Sequence, residues 1–204
     1  VDSHLVRTGR LPKNEWKRLS QAAGPLSEAN IFIDDSAGLH IMELRAKARQ
    51  LKAEHDVDLV IVDYIQLLNA GGKVESRQQE ISFISRSLKA LAKDLSVPIL
   101  ALSQLSRAVE NRTDHRPIMS DLRESGSIEQ DADVVAFIHR EDRYVDAETW
   151  EKRNPTEEYP SNIADLIVAK HRNGRTGGIK LYFQDRFVKF ENLATYEQEP
   201  ISVP

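Results

Sequence analysis

The chain has 204 residues, 40% of them hydrophobic and 29% charged, with a formal net charge of −4 and no cysteine. That balance describes one globular domain with a full core and little room for a second; it excludes a disordered chain, a disulfide framework and any thiolate nucleophile or metal site. It also excludes a generally basic coat for nucleic acid, though not a local basic stripe, and no apolar run approaches the roughly 20 residues of a transmembrane helix.

The opening VDSHLVRTGR lacks the basic start and apolar block of a signal peptide. Polar sequence follows, and the spacing predicts a helix after Pro12. ANIFIDDS reads as a short strand, and a helix is expected from about His40 to Glu54, with Ile41, Leu44, Ala48 and Leu51 at helical spacing. The strand DLVIVD comes next, then the glycine-bearing loop NAGGKVES. A long helix is expected from about Arg77 to Leu95, with Ile81, Ile84, Leu88, Leu91 and Leu95 on one stripe. Pro98 opens the strand ILALSQ, after which LSRAVENRTDHRPIMSDLRESGSIEQDAD is polar and rich in arginine. The strand VVAFIH, a charged insert from about Arg140 to Asn162 and the strand IADLIVAKH follow. The turn RNGRTGG leads into a hairpin of IKLYFQ against RFVKFEN. Residues 1–193 are read as one domain, and residues 194–204, polar with two prolines, as a loose tail.

Strand and helix alternate through the middle, and the strands are continuously apolar, the mark of burial on both faces. The expected fold is therefore α/β, a mostly parallel sheet with helices on both sides and antiparallel strands added by the final hairpin. Ligands of such sheets bind beyond the carboxyl ends of the strands, which directs attention to Asp34 and Asp35, Asp63, Ser103 and Gln104, and Lys170 to Arg172. Asp63 can cap a turn or serve Mg²⁺, usually through water, beside nucleotide phosphates. Gln104 can begin a surface helix, or orient a water or touch a γ-phosphate without adding negative charge. Lys170 and Arg172, at i and i+2, face one side by alternation; they form either a solvated strand end or a pair that neutralises charge on a transferring phosphoryl group.

The acidic pair Asp34 and Asp35, with a lone Asp, a Ser and a Lys, brings a phospho-accepting receiver domain to mind. Only one helix fits between Asp35 and Asp63, so a turn or helix-entry role is expected for the pair. In the polar segment, Arg107, Arg112, Arg116 and Arg123 suit either an exposed loop of mixed charge or contact with a phosphodiester backbone. Arg123 and the backbone N–H groups beside Gly126 fit phosphate oxygens. The segment has no aromatic residue for base stacking, and Asp121 and Glu124 are expected to repel phosphate.

Taken together and in order, DLVIVDYIQLL, SRQQEISFISRSLKALAKDLSVPILALSQLSRAVE, SDLRESGSIEQDADVVAFIHR and VAKHRNGRTGGIKLYF closely resemble the C-terminal motor domain of the bacterial replicative DNA helicases of the DnaB type, with its RecA-like fold. The resemblance runs from the first residues to about Leu193. It implies a cytoplasmic ring of identical subunits, usually a hexamer, that encircles single-stranded DNA, uses ATP and Mg²⁺ between neighbours, and meets a primase and a helicase loader. Asp63 would be the Walker B aspartate serving Mg²⁺, and Gln104 the γ-phosphate sensor. Lys170 and Arg172 match the KxR placed in the neighbour's ATP site. Arg123, Glu124 and Gly126 match the loop that follows the DNA backbone, and Lys73 and Arg77 lie where a second pore-facing loop is expected.

The 204 residues contain no GxxxxGK followed by Ser or Thr, and GGKVES has no hydroxyl next to Lys73. The phosphate loop and the strand bearing the water-activating glutamate would precede Val1, so the chain reads as part of a motor domain and is expected not to hydrolyse ATP alone. Another RecA-like ATPase, a recombinase or a clock-type hexamer, is the nearest alternative, and a non-catalytic assembly module the next.

Overall fold

Residue choice at helix ends explains most of the helical boundaries. A computed structural model of the chain describes residues 1–72 and 76–193, and of residues 123–126 the backbone alone. Asp2 accepts from the N–H groups of His4 and Leu5 to start α1, Ser3–Arg7. Pro12 precedes α2, Lys13–Glu28, which has no buried residue. His40 Nδ1 accepts from Met42 N to start α3, Ile41–His55, which buries Ile41, Leu44 and Ala48 and ends at Asp56 in the left-handed region. Ser76 Oγ caps α4, Arg77–Leu95, by accepting from Gln79 N, and Ser96 ends it, again left-handed. Residues 77 and 95 are the bounds that apolar periodicity predicts.

α3 and α4 cover one face of a parallel pair, β1 (Val60–Val62) and β2 (Ile99–Ala101), in the register Val60 to Ile99 and Val62 to Ala101. The main core lies there: Ile41, Leu44, Ala48, Val62, Ile81, Ile84, Leu88 and Leu91 pack together with Ile128. A second cluster of Leu122, Val135 and Phe137 lies beneath β3, Val134–His139. β3 pairs antiparallel with β4 (Ile163–His171), which pairs with β5 (Gly177–Gln184) and through it with β6 (Lys189–Asn192). Between β2 and β3 come 3₁₀ turns at Arg107–Asn111 and Met119–Ser125, then the short α5, Gly126–Asp131. The charged insert forms a 3₁₀ turn at Glu141–Arg143 and α6, Ala147–Arg153.

The α/β class and the terminal hairpin are as expected. Three details differ. Antiparallel pairing begins at β3 and is not confined to the hairpin. Residues 29–36 carry an extended apolar pattern but pair with no strand among the described residues, and Ile33 is 87% exposed. The central strands are buried on one face only: Ile61 is 59% exposed, Leu100 56% and Ile138 58%, while Val62, Val135 and Phe137 are buried. Continuous apolarity signals two covered faces, but α3 and α4 cover only one. Residues 194–204, read as a tail, lie outside the described residues.

Candidate functional site

β1 and β2 run parallel, so their carboxyl ends open on the same edge. Asp63 is the first residue past β1, and Ser103 and Gln104 lie just past β2. The backbone closes over this edge: Leu102 N–H donates to Val62 O and Ile65 N–H to Leu102 O, both at 2.9 Å. The Asp63–Tyr64 peptide is cis. Asp63 is exposed, and among the described residues its carboxylate meets no hydrogen-bond donor or cation.

Gln66 holds Gln104 in place. Its amide N–H donates to Ser103 Oγ at 3.0 Å and to Gln104 O at 3.3 Å, and its Oε1 accepts from Gln104 N at 3.2 Å. Two of these bonds fix the backbone of Gln104 and the third holds Ser103 beside it, leaving the amide of Gln104 free among the described residues. Sequence reading missed Gln66. An amide four residues after a strand is an ordinary surface residue by sequence, and only the pairing of β1 with β2 brings it to Gln104.

Lys170 and Arg172 are brought together, as alternation predicts. Lys170 Nζ donates to Glu129 O, and Arg172 Nη2 donates to Gln130 O at 3.2 Å. Both cations therefore meet the carboxyl end of α5, where carbonyls lack helical partners. A register shift between Val135 and Ala136, against β4, lies just before the pair and aims the strand end. Arg172 Nε also lies 3.2 Å from Asp133 Oδ1. The described partners of Lys170 and Arg172 thus belong to α5 and Asp133, not to the Asp63 and Gln104 edge.

The remaining predicted residues fall at the start of α4, in the loop before it and in the segment leading into α5. The Arg77 guanidinium donates to Gln66 O and pairs with Glu80, whose carboxylate also accepts from Ala70 N at 3.2 Å. Those contacts hold Glu80 below the usual carboxylate range, the Ala70 N–H first among the causes and the Arg77 bond acting against the effect of burial. Arg77 therefore ties the start of α4 to the turn after β1. Lys73 lies outside the described residues, as do the side chains of Arg123 and Glu124; the backbone of residues 123–126 passes from a 3₁₀ turn into α5 at Gly126. Of the other arginines, Arg112 grips Asp121, with Nη1 2.9 Å from Oδ1 and Nη2 on Oδ2, and Arg116 pairs with Asp165 at 2.9 Å. Asp121, expected to repel phosphate, is 2% exposed and neutralised by Arg112. Asp34 accepts from Ser36 N at 3.0 Å and pairs with Lys47 at 2.7 Å, the turn role expected of the acidic pair.

The chemistry of this donor set fits part of a nucleotide site. Mg²⁺ is held by one or two carboxylates, water and substrate phosphates, not by an all-protein cage. A single uncommitted carboxylate at Asp63 suits that habit, and no group of three His, Cys, Asp or Glu among the described residues makes a cage. The 204 residues contain no GxxxxGK followed by Ser or Thr to cradle the phosphates themselves.

The chain is similar to known proteins over nearly all its length. The family model of the DnaB-like helicase C-terminal domain matches residues 1–192. The replicative DNA helicase DnaC of Bacillus subtilis (strain 168) is 48% identical over 194 residues, which are 95% of this chain and 40% of that protein. The replicative DNA helicase DnaB of Geobacillus stearothermophilus is 49% identical over 195 residues, with the same 95% and 40% shares. The chain thus spans about 40% of the length of these relatives. A solved DnaB-like replicative helicase, described together with its interactions with primase, superposes with a TM-score of 0.83 at 40% identity, over 95% of this chain and 45% of that one. A second solved structure, described as an ATPase domain, superposes at 0.84, also at 40% identity, over 95% of this chain and 66% of that one. With a family match across nearly all its length and a RecA-like α/β fold, the chain belongs to the DnaB-like helicase C-terminal domain family.

Proposed function

We propose that this chain is the larger part of the motor of an ATP-driven replicative DNA helicase, working as a ring of identical subunits, a hexamer, around single-stranded DNA. The observation that supports it best is that the two pairs of candidate residues sit on different elements. Asp63 and Gln104 stand at one sheet edge, while Lys170 and Arg172 are gathered at the end of α5. Cations held on elements other than their own subunit's nucleotide edge suit action on a neighbour's ATP.

In this reading Asp63 orients the water around Mg²⁺, and Gln104, fixed by Gln66, senses the γ-phosphate. Bound Mg²⁺ supplies neutralisation of charge on the β- and γ-phosphate oxygens. Lys170 and Arg172 stabilise charge on the neighbour's transferring phosphoryl group. Arg123, Glu124 and Gly126 follow the DNA backbone, with Lys73 and Arg77 at a second pore-facing loop. Contacts to backbone make binding weakly dependent on sequence and strongly dependent on salt. Primase and a loader are the expected partners of the whole protein. The 204 residues alone hydrolyse no ATP, because most donors to the β- and γ-phosphates come from a phosphate loop they do not contain.

The test is ATP hydrolysis stimulated by single-stranded DNA, comparing this chain with one extended at its N-terminus to carry a phosphate loop. Activity only in the extended chain, abolished by Asp63→Ala, is the expected result. Turnover by the 204 residues alone would overturn the assignment of the nucleotide site.

A further inference from the structure

Asp133, the ion-pair partner of Arg172, stands in the two-residue link between α5 and β3. Its carboxylate has two cationic partners. Oδ1 lies 3.2 Å from Arg172 Nε, and Oδ2 accepts from Lys89 Nζ. Its backbone carbonyl accepts from Arg172 N–H at 2.8 Å. One residue therefore holds Arg172 by both main chain and side chain.

The anchor is itself held. α4 presents Ser82, Ser85 and Lys89 on one stripe to α5 and the link after it. Ser82 Oγ accepts from Ser127 Oγ at 2.9 Å, Ser85 Oγ donates to Asp131 Oδ2 at 2.8 Å, and Lys89 takes Asp133. Hydrogen bonds on three successive turns fix the position of Asp133 relative to the main core, into which α4 packs. The Lys89 bond holds the Asp133 carboxyl below the usual carboxylate range against the opposing effect of burial, and the charges of Arg172 and Lys170 add smaller pulls in the same direction. The acid stays ionised at neutral pH.

Among the described residues the guanidinium is held on one side. Nε faces Asp133 and Nη2 donates to Gln130 O, while the side chain remains 52% exposed. An arginine offers five N–H donors in a rigid fork, so the Nη1 edge points away from the anchor, open to a partner. We infer that Asp133 is the positioning residue of Arg172, clamping the near side of its fork so that the far edge is presented to the neighbouring subunit's phosphates. This rests on the proposed trans action of Lys170 and Arg172. Prepaid orientation of that kind raises turnover rather than substrate affinity.

The experiment uses the full-length ring and measures DNA-stimulated kcat, KM for ATP, melting temperature and ring assembly for Arg172→Ala, Asp133→Asn and Asp133→Glu. Arg172→Ala is expected to lower kcat at least a hundredfold. Asp133→Asn is expected to lower it about tenfold or more, with KM within twofold and the ring intact. Asp133→Glu keeps the charge but displaces the oxygens by one methylene, and its kcat should fall between the Asn variant and the parent. Normal kcat in Asp133→Asn alongside a dead Arg172→Ala overturns the positioning role and leaves the trans action standing. Normal kcat in Arg172→Ala overturns the trans action and this inference with it. A rise in kcat in Asp133→Asn means that Asp133 restrains Arg172 instead of presenting it, and also overturns the inference. Should the Asn variant fail to assemble, Asp133→Glu decides: full kcat there assigns Asp133 to folding alone.

Discussion

Replacing Asp121 with asparagine keeps the shape of the side chain and removes the charge that organises the loop between β2 and α5. The aspartate is 2% exposed. It accepts both terminal nitrogens of Arg112, and Oδ2 also accepts from Ile118 N–H at 2.8 Å. Arg112 in turn donates to Arg116 O at 2.7 Å, and Asp121 O accepts from Ser106 N–H at 2.9 Å. An asparagine amide offers one acceptor where two oxygens stood and turns an N–H₂ toward a donor. Breaking a buried charged pair costs about 3–5 kcal/mol. The Arg112 side chain is 29% exposed, so water recovers some of its solvation and the lower end, about 3 kcal/mol, applies. For a domain of this size about 3 °C of melting temperature is lost per kcal/mol, giving a drop of about 9 °C. Thermal unfolding of the full-length protein measures it. Because the loop runs into residues 123–126, affinity for a single-stranded oligonucleotide should also fall, while the slope of log affinity against log salt stays put, since every phosphate-binding cation is retained. A melting temperature within about 2 °C of the parent would refute the reasoning.

Arg123→Ala should behave in the opposite way on the salt axis: weaker binding across sequences, with the slope reduced by about 0.7 for the one phosphate no longer neutralised; an unchanged slope and affinity would take Arg123 off the DNA path. Gln66→Ala removes the three bonds that seat Ser103 and Gln104 and should lower DNA-stimulated kcat about tenfold or more with KM for ATP little changed; steady-state kinetics on the full-length ring checks this, and equal kcat would show that Gln104 needs no such support. Acid should weaken the fold through Asp133, Asp142 and Asp185. Lys89 holds Asp133 low and Arg140 holds Asp185 low, while for Asp142 burial pushes upward and is outweighed by the bonds from Arg140 and Asn162 N–H. Their lowered folded pKa values mean the contribution is present above the ordinary carboxylate value of about 3.9 and is lost as pH falls through the lowered values. Melting temperature should therefore fall steeply below about pH 4 and less steeply in Asp142→Asn; identical acid profiles would sink that assignment.

What the sequence made legible follows from which signals are local. The bounds of α4 were readable because Ser76 caps it and its apolar stripe has helical period; β4 was readable because its long apolar run ends at His171 and a glycine turn. Asp63, Gln104, Lys170 and Arg172 stood out as candidates because strand ends mark where ligands gather. Gln66, Asp121 and Asp133 were not, because their partners lie 38, 9 and 44 residues away in sequence. Each is a polar residue whose role exists only once two elements have met.

The same reasoning explains why burial on both faces was the wrong expectation for β1, β2 and β3. Apolar runs show that both faces of a strand avoid water somewhere in the working molecule, but not which chain segment provides the cover. Here α3 and α4 cover one side of β1 and β2, while Ile61 and Leu100 look outward from the other. The two stand at paired positions on adjacent strands and not as scattered singles. In the proposed reading, an N-terminal extension that carries a phosphate loop packs on this face and completes the sheet's second layer as well as the nucleotide site. A chain extended to restore turnover should then also bury Ile61 and Leu100, so that gain of ATPase activity and loss of hydrophobic-dye binding occur together.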